Sequence, residues 1–322
     1  PSPRHVPEPE ARVRLTVIVP ATDEPATLPR CLAAIDVAQA PPEEVIVVRE
    51  PVGAGPAEAR NAGASTATGD VLAFVDSDVL VHADAFDRIR RALADERLVA
   101  VFGSYDDHVA TRGAVSAFRN LLHHTVHQRS AGPAASFWAG LGAVRASAFA
   151  TVGGFDARRY PAPSIEDIEL GGRLTAHGGI VLDPDLQGTH LKEWTLGSMV
   201  RTDFSRRGVP WVQLMRERRE IPATLNLGAR ERASAVAAVV AAGGVAARRP
   251  GLVVASLAVG MALNADLHAT LWRRLGPRGV ALGVPLHALH QLVAAAAVPV
   301  GLTATGIRAT PRAPARSARR AP

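Results

Sequence analysis

The feature that most constrains the fold is a short apolar run, Val71 to Val75, followed by Asp76-Ser77-Asp78. An apolar run of this length predicts a buried β-strand. Open α/β sheets bind ligands beside the carboxyl ends of their strands, and these aspartates lie at such an end. Residues two apart in a strand face the same side, so both carboxylates can converge on one ion or one ligand.

Carboxylate oxygens are hard ligands, and they suit a divalent cation such as Mg²⁺ or Mn²⁺ that holds a diphosphate. The alternative is a strand that ends in an ordinary turn, because aspartates are common in turns. The run therefore predicts either a divalent cation site at Asp76 and Asp78 or a capped turn.

Strands and helices alternate around this run. Residues 13–20 and 44–48 are apolar runs typical of buried strands. Residues 27–38 have helical spacing of apolar side chains, and residues 56–66 form a second helical segment. This alternation predicts βαβ units and a mostly parallel sheet.

Four segments follow one another in order: TVIVPATDEPATLPRCLAAI (16–35), EARNAGASTATGDVLAFVDSDV (58–79), VGGFDARRYP (152–161) and EDIELGGRLTAHG (166–178). In content, order and spacing they resemble the family 2 glycosyltransferases of the GT-A fold. The resemblance covers roughly residues 13–215. It implies an α/β fold with a Rossmann-like, mostly parallel sheet flanked by helices.

The resemblance also implies a reaction in which an acceptor hydroxyl attacks the anomeric carbon of a nucleotide-diphosphate sugar with inversion. A divalent cation would offset the charge that develops on the leaving group. Asp78 is the implied direct metal ligand, with Asp76 nearer the ribose or holding the metal through water. Asp167 is the implied general base, with Glu166 beside it. Glu166 and Asp167 also fit a helix N-terminus capped by Ser164.

Further positions are predicted to surround the donor and the acceptor. His190 follows a predicted strand at 179–182 and a predicted loop at 183–185. It is a third candidate metal ligand, because imidazole suits Mn²⁺, although a histidine in a surface loop is an equal alternative. Lys192, the only lysine of the chain, and Arg207 are candidate phosphate contacts. Trp138 and Gly140 are candidates on the acceptor side, although a tryptophan in an apolar run is more commonly core. The predicted nucleotide-sugar-binding residues are Pro20, Ala21, Thr22, Glu24, Glu50, Arg60, Asn61, Asp76 and Ser77.

The sequence departs from the family pattern in two places. The strand at 44–48 is followed by Arg49 and Glu50, where the family usually has an aspartate that binds the nucleotide base. Glu50 is the candidate replacement. The segment nearest to the Q-x-x-R-W signature of processive synthases is 207–211, and it has Pro210 in place of the arginine. This difference indicates transfer of one sugar per acceptor.

Composition changes after residue 228, where three apolar stretches cover 233–247, 251–267 and 279–307. The second and third approach or reach the ~20 residues that cross a bilayer. They predict membrane-associated helices over 229–307, in two or three spans, and the alternative is a soluble Ala-rich domain. Flanking arginines favour a cytoplasmic catalytic domain by the positive-inside rule.

Four segments are predicted along the 322 residues: a disordered N-terminus (1–12), the GT-A domain (13–228), the hydrophobic helices (229–307) and a disordered Arg/Pro-rich tail (308–322). The net charge of +6 comes largely from arginines near the apolar segments and the tail. This distribution favours membrane lipids over nucleic acid as a partner.

These features predict a glycosyltransferase at the cell membrane that moves one sugar onto a hydroxyl of a lipid-linked or envelope glycan acceptor. A non-catalytic membrane scaffold that binds a sugar nucleotide is the first alternative, and the altered base position at Arg49 keeps it open. A nucleotidyltransferase is the second alternative. It would need a Gly-rich, Lys/Arg-bearing phosphate loop after the first strand, and residues 21–25 do not form one.

Overall fold

The computed structural model describes residues 13–220, 225 and 228–304. The strands are β1 (Leu15–Pro20), β2 (Glu44–Val48), β3 (Val71–Val75), β4 (Val79–Val81), β5 (Leu98–Tyr105), β6 (Gly132–Ala134), β7 (Leu141–Arg145) and β8 (Gly179–His190). The helices are α1 (Leu28–Asp36), α2 (Pro56–Thr66), α3 (Ala85–Leu93), α4 (Ala114–Arg129), α5 (Ala146–Val152), α6 (Glu166–Leu174), α7 (Leu196–Arg201), a π-helix (Thr202–Gly208), α8 (Val209–Arg218), α9 (Ala229–Ala246), α10 (Pro250–Leu263) and α11 (Ala265–Thr303). The predicted disordered segments 1–12 and 308–322 lie outside the described residues.

The strands form one mixed sheet in the order β2-β1-β3-β7-β5-β8-β4, and β6 also pairs with β8. β1, β2, β3, β5 and β8 run in one direction, and β4, β6 and β7 run in the other. The predicted α/β class with flanking helices is confirmed. The sheet is less uniformly parallel than predicted, because β7 enters between β3 and β5 in the antiparallel direction.

Local sequence explains the bounds of the elements that precede the aspartates. The observed β2, α2 and β3 have the predicted bounds, 44–48, 56–66 and 71–75. Helix α2 begins with Pro56, whose fixed φ suits the first helical position. Strand β3 is buried along its whole length, which explains its continuous apolar sequence.

The core lies on both faces of the sheet. Val17 and Val19 of β1 pack into one cluster with α1 and α3, and Ile18 packs into the other with α2 and α5. Phe74 of β3 is the centre of the second cluster, where its ring contacts the ring of Phe155 at 5.2 Å. Because β3 is held from both faces, its carboxyl end is a fixed platform for the residues that follow.

Strand β8 is longer than the sequence predicted. The prediction ended this strand at Leu182 and placed a loop at 183–185, but the strand continues to His190. Its pairing with β5 shifts between Phe102 and Ser104, and this irregularity accommodates the extra residues. His190 is therefore the end of a strand, and the surface-loop alternative for it is wrong.

The C-terminal helices differ from the predicted segments. The predicted stretch 251–267 is divided, because α10 ends at Leu263 and the Asn264 side chain bonds to Ser234 and to the Gly260 carbonyl. Helix α11 begins at Ala265, well before the predicted 279, and bends at Gly276, where φ is 66°. Among the described residues, only α11 is long and apolar enough to cross a membrane, and an 18-residue window of it has a mean hydropathy of 1.5.

Helix α11 packs against the α/β domain through small residues and one buried ionic cluster. Gly208 of the π-helix lies so close to Ala297 that an added Cβ would come within 2.6 Å of it. Beside this contact, Asp203 lies 3.0 Å from the Arg119 guanidinium of α4 and accepts a 2.8 Å hydrogen bond from His290 Nδ1 of α11. Three elements are thus joined through one carboxylate.

The cluster favours the ionised form of Asp203. Burial raises the pKa of Asp203, but Arg119 and His290 outweigh burial and lower it to about 2. An unfolded aspartate has a pKa of about 3.9. The stabilisation is therefore complete above about pH 4 and is lost as the pH falls towards 2.

We expect Asp203→Ala to lower the free energy of unfolding by about 3–5 kcal/mol, because it leaves the buried Arg119 charge without its carboxylate. Denaturant unfolding of the detergent-solubilised protein at neutral pH measures this. The control is Ser205→Ala on the exposed side of the same π-helix, which should change the value by less than about 0.5 kcal/mol. Equal unfolding midpoints for the two variants would contradict the role of the cluster.

Candidate active site

The two aspartates of Asp76-Ser77-Asp78 lie in a tight turn between β3 and β4. The Asp76 N–H donates to the Gly140 carbonyl at 3.0 Å, and the Val79 N–H donates back to the Asp76 carbonyl at 2.9 Å. The Asp78 carbonyl accepts the N–H of Leu191 at 2.8 Å. The turn is therefore fixed on both sides, by the start of β7 and by the end of β8.

The buried Arg60 of α2 joins the first aspartate to the predicted catalytic pair. Its Nη2 donates to Asp76 Oδ1 at 2.6 Å, and its Nη1 donates to Glu166 Oε1 at 3.2 Å. The guanidinium also lies over the ring of Phe155 at 5.5 Å. The structure thus brings residues from sequence positions 60, 76 and 166 into one site.

Asp76 and Asp78 have opposite electrostatic environments. Burial raises the pKa of Asp76, and the nearby Asp78 raises it further, against the effect of Arg60. Burial also raises the pKa of Asp78, but the nearby His190 outweighs burial, so the pKa of Asp78 is lowered. Asp78 is therefore the better anionic ligand of the two.

Asp78 and His190 form a side-chain pair whose chemistry fits a divalent cation. Asp78 Oδ2 lies 3.7 Å from His190 Nε2, a separation at which both atoms can contact one ion. His190 is held in place by stacking on Tyr105 at 3.9 Å between ring centroids. Within the described residues, no group of three or more His, Cys, Asp or Glu side chains is arranged for a metal. The pair can therefore supply two ligands at most, and a metal ion there would need further ligands, such as substrate oxygens.

An open cleft of about 560 Å³ lies in front of Ser77 and Asp78. Three cations line it: the predicted Lys192, together with Arg30 and Arg112. The charge of Lys192 lowers the pKa of both aspartates, so it lies close to them. In such a cleft the carboxylate can bind a metal ion, and the cationic side chains can bind a diphosphate beside it.

Sequence reasoning missed Arg30 and Arg112. Arg30 lies near the start of α1, within the family-like segment 16–35, and its position in that segment could have indicated a donor-binding residue. Arg112 lies in the irregular segment between β5 and α4, where no sequence motif marks it. Arg207, in contrast, is exposed on the π-helix and does not line the cleft.

Asp167 lies at the start of α6 with a carboxyl group suited to proton transfer. Its Oδ1 accepts the N–H of Ile168 at 2.8 Å, and its Oδ2 accepts the N–H of Ala139 at 3.3 Å. Burial, and then the charge of Glu166, raise the pKa of Asp167 to about 7. The capping alternative is wrong in one respect, since the Ser164 hydroxyl donates to the Arg206 carbonyl and caps no helix.

Several residues predicted to bind the donor have other partners. Both ends of the Asn61 amide bond to the backbone of Phe155, at 2.8 and 2.9 Å. Thr22 is buried and donates to the Ala54 carbonyl at 2.6 Å, and exposed Glu50 accepts the Val52 N–H at 3.1 Å. Pro20, Ala21 and Glu24 lie at the end of β1 and in the turn after it, close in sequence to the cleft residue Asp23.

Trp138 and Gly140 lie on the other side of the turn. The Trp138 indole lies over Gly140, where a Cβ would come within 2.3 Å of the ring, so only glycine fits there. The ring also contacts Tyr105 at 4.8 Å and His123 at 4.6 Å between centroids. His123 and His127, which are four residues apart on α4, stack on each other with 3.8 Å between their ring centroids.

Residues 34–152 match the family described as Glycosyl transferase family 2. The match spans α2, β3 and the Asp76-Ser77-Asp78 turn, and together with the GT-A fold it supports a glycosyltransferase. No curated protein sequence matches the chain.

Solved glycosyltransferase structures were found among the similar folds, and one of them superposes with a TM-score above 0.5. A mannosyltransferase from Pyrobaculum calidifontis, PcManGT, solved with GDP-Man and Mn²⁺, superposes with a TM-score of 0.51 and 17% identity over 92% of this chain and 90% of its own. The glucosyl-3-phosphoglycerate synthase of Mycobacterium tuberculosis, solved with Mn²⁺, UDP-glucose and glycerol 3-phosphate, gives a TM-score of 0.39 and 20% identity over 61% of this chain and 81% of its own. The first likeness confirms the GT-A fold.

We expect Asn61→Ala to lower the free energy of unfolding of the transferase by about 1–3 kcal/mol, because it leaves the Phe155 backbone groups without partners. The dissociation constant for the sugar nucleotide should stay within about twofold of wild type. Denaturant unfolding and donor titration measure the two effects. A large loss of donor affinity with unchanged stability would contradict this expectation and would support Asn61 as a donor-binding residue.

Proposed function

We propose that the protein transfers one sugar from a nucleotide-diphosphate sugar to an acceptor hydroxyl, with Asp167 as the general base and with inversion at the anomeric carbon. The observation that carries the proposal is the bridge formed by Arg60 between Asp76 and Glu166. It joins the carboxylates beside the cationic cleft to the carboxyl pair that contains Asp167. A diphosphate site and a proton acceptor next to each other are what this reaction requires.

The donor is proposed to lie in the cleft with its diphosphate among Arg30, Arg112 and Lys192. Asp78 and His190 would hold a Mn²⁺ or Mg²⁺ ion, and Asp76 would lie near the ribose. When bound, the cation would neutralise charge on the departing diphosphate. The Mn²⁺ and GDP-Man of the P. calidifontis structure, which shares the fold, support this choice of donor class and cofactor.

The acceptor hydroxyl is proposed to approach from the Asp167 side. Its oxygen forms the new bond to the anomeric carbon while the bond to the diphosphate oxygen breaks, and its proton passes to Asp167. A pKa of about 7 means that Asp167 is partly ionised at neutral pH and holds the proton well once it has accepted it. One carboxylate base and one displacement give inversion.

The acceptor is proposed to be lipid-linked or an envelope glycan, because the domain at 13–228 is followed by the long apolar helix α11. The region 229–307 would then associate with membrane lipids and place the catalytic domain at the cytoplasmic surface. The family match gives no support to the nucleotidyltransferase alternative.

We expect nucleotide-diphosphate release from one donor in a panel of UDP-, GDP- and dTDP-sugars, with Mn²⁺ and membrane lipid extract present. Asp78→Ala should abolish the metal-dependent release, and Asp167→Asn should lower kcat by about 10²–10⁴-fold while donor binding persists. Asp36→Asn, on the exposed side of α1, is the control and should behave as wild type. Donor binding without turnover would favour the scaffold alternative.

We also expect kcat/KM to fall below about pH 7, since a base must be ionised to act and the pKa of Asp167 is raised to about 7. Glu166→Gln removes a negative charge that raises this pKa, so it should move the acid limb to lower pH. Initial rates between pH 5 and 9 measure both effects. An acid limb that does not move in Glu166→Gln would exclude Asp167 as the titrating base.

A further inference from the structure

A second cavity lies beside the donor cleft, on the other side of one strip of chain. It has a volume of about 300 Å³ and lies between α11 and the start of α4. This is at the lower end of the range of about 300–1,000 Å³ that is typical of ligand pockets. Thr111 lines both the cavity and the cleft, so segment 106–113 forms the wall between them.

This wall is fixed to three parts of the fold. The Asp106 side chain accepts a short hydrogen bond from the Thr189 hydroxyl of β8. The Asn120 amide of α4 donates to the Asp106 carbonyl at 3.0 Å. Asp107 accepts a 2.7 Å hydrogen bond from Arg274 Nε of α11. The cavity and the cleft therefore keep a defined position relative to each other.

The lining of the cavity is almost entirely apolar. Phe118 and Leu271 form its buried part, and no side chain enters from Gly279 or Gly283. Arg278 is the one charged residue in the lining, and it is exposed. An apolar pocket with a single cation at its edge fits a hydrocarbon chain that ends in an anionic group.

We infer that this cavity holds the hydrocarbon chain of a lipid phosphate acceptor, with the phosphate at Arg278. The accepting head group would then extend past Thr111 towards the donor cleft. The inference rests on the proposed transfer to a lipid-linked acceptor and names where that acceptor is bound. Three observations favour this occupant: the shared wall, the cation at the edge, and α11, whose composition suits a bilayer.

Binding is tested first without any catalysis. The full-length protein in detergent is labelled with a diazirine analogue of farnesyl phosphate, and the labelled peptides are mapped by mass spectrometry. We expect labels within 109–118 and 271–283, competed by farnesyl phosphate, at least tenfold less well by farnesol, and not by inorganic phosphate. Labels spread over the exposed faces of α9 and α10 would indicate general lipid contact and overturn the inference.

Variants then test the acceptor role. Ala114 is exposed at the edge of the cavity, so Ala114→Phe narrows its entrance without disturbing the core. We expect KM to rise at least tenfold for a long-chain lipid phosphate acceptor and much less for one with a five-carbon chain. Ala233→Phe, the same change at an exposed position of α9, should leave both KM values unchanged. Equal effects on the two acceptors would overturn the inference.

Arg278→Gln tests recognition of the phosphate independently of recognition of the hydrocarbon chain. Its KM should rise at least fivefold for the phosphorylated lipid and not for the neutral lipid alcohol of the same length. If no donor is turned over by wild type, the proposed function is wrong, and the labelling pattern still decides whether the cavity binds lipid phosphate. If donors are turned over but labels lie elsewhere, only the inference about the cavity is wrong.

Discussion

The site depends on the buried guanidinium of Arg60. A carboxylate removed from water is costly unless it is paired, and Asp76 and Glu166 share this one cation. A lysine could not replace it, because only the planar guanidinium reaches two carboxylates at fixed angles. Helix α2 and the ring of Phe155 hold Arg60, so the geometry of the site is determined by packing far from the cleft.

The carboxyl groups of the site differ in pKa because their surroundings differ. Burial and then the charge of Glu166 raise the pKa of Asp167 to about 7, against the effect of Arg60. Burial also raises the pKa of Asp76, although Arg60 pairs with it. Asp78 instead faces His190, and its pKa is lowered. The fold thus places a readily ionised carboxylate and a weak acid in one site. In catalytic sites generally, different environments give chemically identical groups different pKa values, so that one can act as an acid or base while another stays ionised.

Sequence reasoning predicted what depends on neighbouring residues. The apolar runs and the proline at position 56 define β2, α2 and β3, and motif order places Asp76, Asp78, Glu166 and Asp167 in one site. Sequence reasoning failed where contacts between distant residues determine the structure. The Asn61 side chain is hydrogen-bonded to the backbone of Phe155, 94 residues away, and the full length of β8 depends on a shift in its register with β5. Arg112 has no local signal, because only the fold brings its segment to the cleft.

The same dependence on distant contacts applies to α11. Read as a sequence, the apolar stretch 279–307 predicts a membrane-associated helix, and it carries no signal for contacts with the residues of the α/β sheet. In the fold, Gly208 and Gly301 let it lie against the π-helix and α8, and Asp203 bonds to His290. A helix fixed in this way cannot change its tilt in a bilayer without moving the catalytic domain. Packing, and not linker length, would therefore set the distance between a membrane surface and Asp167.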